Sequence, residues 1–157
     1  MPGDAEAITA IYNDAIARTD ASLWADPRPV SETQHRIAAA TALHPVLVGD
    51  SDGAVIAGAW ASEWNPRDGY ATTVEFTVYV AEPARGRGVG RALYTALIER
   101  VRAAGARDVM AGATIPNDGS VRLHESMGFE RVGHFRGIAE KFGKRLDVMY
   151  WQLRLDT

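Results

Sequence analysis

At 157 residues the chain has the length of one domain, expected to span residues 1–157, and with 46% apolar residues it has the material for a sizeable core. A net charge of −3 offers no nucleic-acid surface, the absence of cysteine removes disulfides and thiolate catalysis, and no apolar run is long enough to span a bilayer. The opening "MPGDAEAITAIYNDAI" is acidic and lacks the basic stretch of a secretory signal, so the expected setting is soluble and cytoplasmic.

In chain order, Asp4 is placed to cap a first helix carrying Ile8, Ile11, Ala15 and Ile16 at helical spacing. "TDASLWADPRPV" reads as a loop broken by Pro27 and Pro29. Ser31 and Gln34 have capping-box spacing and open a second helix through Ile37 to Leu43. "HPVLVGD", Asp52-Gly53 and "AVIAGAWASEW" predict a β-hairpin. "TTVEFTVYV" alternates as a strand, with Val74, Phe76, Val78 and Val80 on one face and Glu75, Thr77 and Tyr79 on the other. A helix follows on Val89, Leu93, Ala96, Leu97, Arg100, Val101 and Ala104, ended by Gly105. "DVMAGATI" reads as a buried strand. Asn117 or Asp118 caps "SVRLHESM", Gly128 closes it, and two strands near 129–138 and 146–155 finish the chain. The order predicts an α/β (α+β) fold: one mixed sheet flanked by helices.

Between the third predicted strand and the helix after it lies Arg85-Gly86-Arg87-Gly88-Val89-Gly90-Arg91. The first turn of a helix offers free N–H groups and the positive end of the dipole. Glycines let a ligand approach that backbone, and arginines add charge. Such a mouth suits a phosphate or pyrophosphate. The P-loop pattern is absent, and no Gly-x-Gly-x-x-Gly opens the chain as in a dinucleotide fold. On the residues alone, a tight surface turn with solubilising arginines stays open beside the phosphate reading.

Arg85-x-x-Gly88-x-Gly90 after "VYV" resembles the acetyl-CoA signature of the GCN5-related N-acetyltransferase (GNAT) family, found between that family's fourth strand and third helix. "IYNDAI", "TVEFTVYV", "PNDGSVRLHESMGF" and "EKFGKRLDVMYWQL" resemble its phosphinothricin and methionine sulfoximine N-acetyltransferase branch, from about Asp4 to Leu155. The resemblance implies an acetyl-CoA-dependent enzyme of the GNAT fold and a homodimer. It implies that the amides of Gly86, Arg87, Gly88, Val89, Gly90 and Arg91 cradle the CoA pyrophosphate. It also implies that the backbone of Val78, Tyr79 and Val80 pairs with the pantetheine arm like an added strand. Asn117 and Ser126 match cofactor-contacting positions, although Asn117 also suits a helix cap and Ser126 an ordinary polar helix position. The family usually begins with a strand before its first helix. This sequence starts almost at the helix, so either that edge strand is missing or the start lies further upstream.

Acetyl transfer from a thioester to an amine needs a base for the amine, a donor for the developing oxyanion and a proton for the departing thiolate. On the residues alone Glu75 is as much an exposed or ion-paired carboxylate as a base. The resemblance marks "TVE" as the branch's catalytic glutamate, working directly or through water. A lone histidine such as His124 is ordinarily a core-edge residue. The branch carries a histidine in "LHE", which implies proton transfer by His124, from the amine or to the thiolate. The oxyanion donor is expected to be a backbone N–H near Val78. His35, His44, His124 and His134 show no metal-ligand spacing, and no Ser-His-Asp context supports a covalent intermediate.

The branch builds its acceptor pocket from the loop after the first helix and the segment before the glutamate strand. Here Trp24, Trp64 and Tyr70 are candidate walls, with ordinary packing the alternative for each. Asp68 is a candidate for an ammonium, or part of an Asp-Gly turn. Asn65 stands where relatives carry an arginine after the tryptophan, so Arg67 is the candidate for an acceptor carboxylate. Phe76 and Arg145 also depart from the branch pattern. The expected acceptor is a small amine such as phosphinothricin or methionine sulfoximine. A polyamine, an aminoglycoside, a protein N-terminus, or a non-catalytic CoA-sensing role are the alternatives.

Overall fold

The computed structural model describes Met1 and residues 3–156. Its helices are α1 (Asp4–Arg18), α2 (Val30–Ala38), α3 (Val89–Ala103) and α4 (Asp118–Ser126). Its strands are β1 (Val46–Ser51), β2 (Ala54–Glu63), β3 (Thr73–Val80), β4 (Asp108–Ile115), β5 (Glu130–Lys141) and β6 (Lys144–Arg154). They form one sheet in the order β1-β2-β3-β4-β6-β5, in which only β3 and β4 are parallel neighbours. Among the described residues no strand precedes α1, and β1 is one edge of the sheet.

The faces of the sheet follow from strand alternation. A side chain at Gly58 would run into Ile8 of α1, while its neighbours Ala57 and Ala59 join Leu93 and Leu97 of α3 in the core. Helix α1 therefore covers one face and α3 the other. On the α1 face Tyr12 packs on Trp60 and Tyr79, and Thr9 bonds Thr33 of α2 at 2.7 Å between hydroxyls. On the α3 face Val74, Phe76, Tyr94, Leu97, Val101, Val109 and Trp151 form the buried centre.

The Asp52-Gly53 hairpin forms as predicted, with φ of 54° and 82° at the two turn residues. Asn117 caps α4 by accepting from the Ser120 N–H at 3.1 Å. Three local expectations are corrected. Asp4 is the first helical residue, not the cap; Gly3 holds that position, and the Asp4 carboxylate pairs with the Met1 ammonium instead. Ser31 and Gln34 form no capping box, because Pro29 sits at the N-cap and puts Ser31 inside the helix. Helix α2 stops at Ala38 rather than Leu43. Thr41 and His44 close a separate turn, with the Thr41 N–H on the His44 carbonyl and the His44 N–H on the Thr41 hydroxyl, just before Pro45.

Candidate functional site

Strands β3 and β4 pair only at their beginnings, with Thr73, Val74 and Glu75 opposite Asp108, Val109 and Met110. Beyond Glu75 they part. Strand β3 continues to Val80 against β2 alone, and β4 continues to Ile115 against β6 alone. The Ala81 N–H donates to the Ile56 carbonyl beyond β3's pairing with β2, at 2.8 Å. Counting back in twos, Tyr79 and Thr77 also turn their backbone groups to β2, whereas Val78 and Val80 turn theirs into the opening. Consistent with that direction, the Val80 carbonyl accepts from Arg85 Nε at 3.1 Å. Tyr79, expected beside Val78 and Val80, is different: its backbone is committed to β2 and its ring lies 4.6 Å from that of Tyr12.

The opening is a cavity of about 1250 Å³ lined from both faces of the sheet. At its α3 end lie Arg85, Gly86, Gly88, Val89, Gly90 and Arg91, with Asn117 and Ser126 across from them on α4. Gly88 caps α3 in the left-handed region (φ 80°), and Gly86 has φ 75°. A Cβ at either would meet nothing within 4 Å, so the backbone faces open space. Arg91 Nη1 donates to the Ser126 hydroxyl at 2.9 Å, tying the two helices across the mouth. Arg87 is exposed and does not line the cavity. Free amides at a helix start, glycines that leave them uncovered and the side chains of Arg85 and Arg91 make a donor set that fits a pyrophosphate. The unpaired edge of β3 fits an amide-bearing arm.

Glu75 is the last residue of β3 with strands on both sides, so it marks the apex of the wedge. It lies opposite Ser62 of β2 and on the α1 face, with Thr77 and Tyr79. Burial raises its pKa above the ordinary carboxylate range.

His124 sits on the other face. It is buried and stacks on the Trp151 indole, with centroids 4.8 Å apart and planes at 12°. Its Nδ1 is 2.6 Å from the Ser120 carbonyl and its Nε2 is 3.1 Å from the Tyr94 hydroxyl. A carbonyl can only accept, so Nδ1 carries the proton and Nε2 accepts from the phenol. Burial lowers the His124 pKa, opposed by the bond to Ser120, and the ring is neutral near pH 7. Burial raises the pKa of Tyr94, and the nearby Glu75 carboxylate adds to the effect.

On the α1 face the cavity is walled by Tyr12, Thr77, Thr114, Tyr150 and the segment from Thr19 to Trp24. Trp24 therefore lies at the cleft, with the Arg28 guanidinium 3.9 Å over its ring. Trp64, Arg67, Asp68 and Tyr70 do not line the cavity. Trp64 stands behind Tyr150, edge to face at 5.5 Å. Arg67, Asp68 and Tyr70 are exposed around a single 3-10 turn over Asp68–Tyr70, where the Asp68 carbonyl accepts from the Ala71 N–H. Tyr94 and Tyr150 escaped the sequence reading. A tyrosine on the apolar stripe of α3 signals a buried hydroxyl in need of a partner. The signal for Tyr150 is its place opposite Gly112, where any side chain would strike the tyrosine ring.

Residues 8–129 match the model of the acetyltransferase (GNAT) family, and the chain belongs to that family. It is 40% identical to an L-methionine sulfoximine/L-methionine sulfone acetyltransferase of Salmonella typhimurium, over 98% of this chain and 90% of that protein. It is 35% identical to a phosphinothricin N-acetyltransferase of Streptomyces viridochromogenes, over 95% of this chain and 81% of that one. A Salmonella typhimurium acetyltransferase solved with its cofactor acetyl-CoA superposes with a TM-score of 0.95 at 36% identity, covering 99% of this chain and 91% of its own. The chain is thus an acetyltransferase of the GNAT fold, and acetyl-CoA is its cosubstrate. No helix among the described residues is long and apolar enough to cross a membrane.

Proposed function

We propose that the chain acetylates the primary amine of a small amino-acid analogue of the methionine sulfone or phosphinothricin type, with the amine entering from the α1 face. The observation that carries this reading is the position of Glu75 at the apex of a wedge open to both faces. The Tyr94–His124 pair lies on the opposite face, and the glycine-arginine helix mouth lies beyond it. Acetyl-CoA supplies the activated acetyl thioester. Val78 and Val80 would hold its arm through backbone groups, and the amides from Gly86 to Arg91 its pyrophosphate. Arg85 and Arg91 add positive charge.

Glu75 takes the ammonium's proton, directly or through a water; burial raises its pKa, which makes the carboxylate a stronger base than an exposed one. The Val78 N–H, directed into the opening, donates to the carbonyl oxygen as negative charge develops there. To protonate the leaving sulfur, the Tyr94 hydroxyl turns its single proton from His124 Nε2 to the thiolate, and the second proton that the attacking nitrogen sheds as the amide forms restores the phenol. His124 is a positioning residue: its own proton is held by Ser120, and its Nε2 fixes the phenol. Sequence reasoning gave His124 the proton transfer; in this arrangement the mobile proton of the pair is the phenolic one.

The exposed Val132, Phe135 and Ile138 on edge strand β5, and Leu23 and Trp24 at the mouth of the cleft, support a homodimer. The cytoplasm is the matching setting.

One measurement tests the cofactor side of this reading. Gly88→Ala forces a Cβ into a left-handed cap, at a cost of about 1–2 kcal/mol. It should weaken acetyl-CoA binding by calorimetry about tenfold while leaving the fold intact; unchanged binding would take the cradle away from this loop.

A further inference from the structure

The segment from Thr19 to Trp24 lines the cleft on the α1 face but belongs to no helix or strand. Its shape depends on groups for which the reaction has no use. Lys141, the last residue of β5, is only 8% exposed and has no carboxylate partner among the described residues. Its Nζ donates to the carbonyls of Ile16, Thr19 and Ser22 at 2.7, 2.8 and 2.5 Å. These three acceptors use every proton of the ammonium. Ile16 lies in the last turn of α1 and Thr19 is its C-cap. There, carbonyls lack helical partners and their partial negative charge favours a cation. The Ser22 carbonyl belongs to the loop proper. A second tie comes from β4, where the Thr114 hydroxyl donates to the Asp20 carbonyl at 2.8 Å. Two side chains from two strands thus hold the carbonyls of Thr19, Asp20 and Ser22. The half-exposed Leu23 and Trp24 follow directly, at the cleft mouth.

We propose that Lys141 is a positioning residue for the acceptor, clamping segment 19–24 into a preformed wall. The inference rests on the amine entering from the α1 face. The glycine-arginine mouth and the Tyr94–His124 pair are held by other contacts, so the clamp governs acceptor binding and leaves acetyl-CoA binding alone.

Lys141→Met in the full chain, with acetyl-CoA and L-methionine sulfone as substrates, tests it. The amine KM should rise about tenfold or more, and the acetyl-CoA KM should stay within about twofold. Amide hydrogen exchange should quicken at least about tenfold over residues 20–24 and remain unchanged in α3. Unchanged exchange in the loop, or a parallel rise of both KM values, overturns the proposal. Should Lys141→Met fail to fold, Thr114→Val loosens the same segment through Asp20. Because Thr114 also lines the cleft, the readout for this variant is amide exchange over residues 20–24, which should quicken about threefold; unchanged exchange overturns the proposal. A wild type that acetylates no amine would refute the acceptor assignment instead, and the loop exchange alone would then decide the clamp.

Discussion

Glu75→Gln should lower kcat/KM by about 10²–10⁴, the range for loss of a general base, without destabilising the protein. The second half of this expectation separates a catalytic loss from a folding one. Burial raises the folded-state pKa of Glu75 above its unfolded value. The stability it contributes is then fully present below the unfolded pKa and lost as pH rises through the folded one. At neutral pH the buried carboxylate is a cost, and the neutral amide should leave the denaturant midpoint unchanged or slightly higher. The wild-type rate should fall on acidification at a pH above the ordinary carboxylate range, as Glu75 takes up its proton. That limb should vanish in Glu75→Gln, leaving only the ionisation of the amine itself. A variant that keeps both its rate and its acid limb would show that Glu75 is not the base.

Trp151→Ala should cost about 3–5 kcal/mol of stability, the range for deleting a large buried aromatic. Trp151 is fully buried and belongs to the core that α3 covers. It is also the surface on which His124 lies flat. In whatever fraction remains folded, the imidazole loses its platform and the bond to Tyr94 loses its geometry. Chemical denaturation should therefore show the large loss, and kcat in the folded fraction should fall as well. A loss of less than about 1 kcal/mol would contradict the packing described here.

Where one local rule decided the outcome, the sequence was informative. Asp52-Gly53 between alternating runs turned a hairpin, and the amphipathic stripe from Val89 formed α3 as expected. The alternation in "TTVEFTVYV" correctly put Glu75 on the face away from Val74 and Phe76. Capping was less legible, because it depends on how the chain enters the helix. Ser31 and Gln34 had the right spacing, but Pro29 set the N-cap and the box never formed. The site divided along the same line. The helix mouth is contiguous in sequence, so its residues could be named together, and all but Arg87 line the cavity. The α1 wall is assembled from α1, β3, β4 and β6, and Tyr150 and Thr114 enter it only through the sheet's register. Lys141 was invisible for the same reason: its partners lie more than a hundred residues away, and an isolated lysine in a turn sequence ordinarily faces water.

CoA thiol release by the wild type from acetyl-CoA, in the presence of L-methionine sulfone, L-methionine sulfoximine, phosphinothricin, spermidine or a short peptide, tests the central claim most directly. Release with the first three amines, each yielding its N-acetyl product by mass spectrometry, is the predicted result. Release with spermidine or the peptide alone would contradict the acceptor class, and failure to bind acetyl-CoA at all would contradict the account of the cleft.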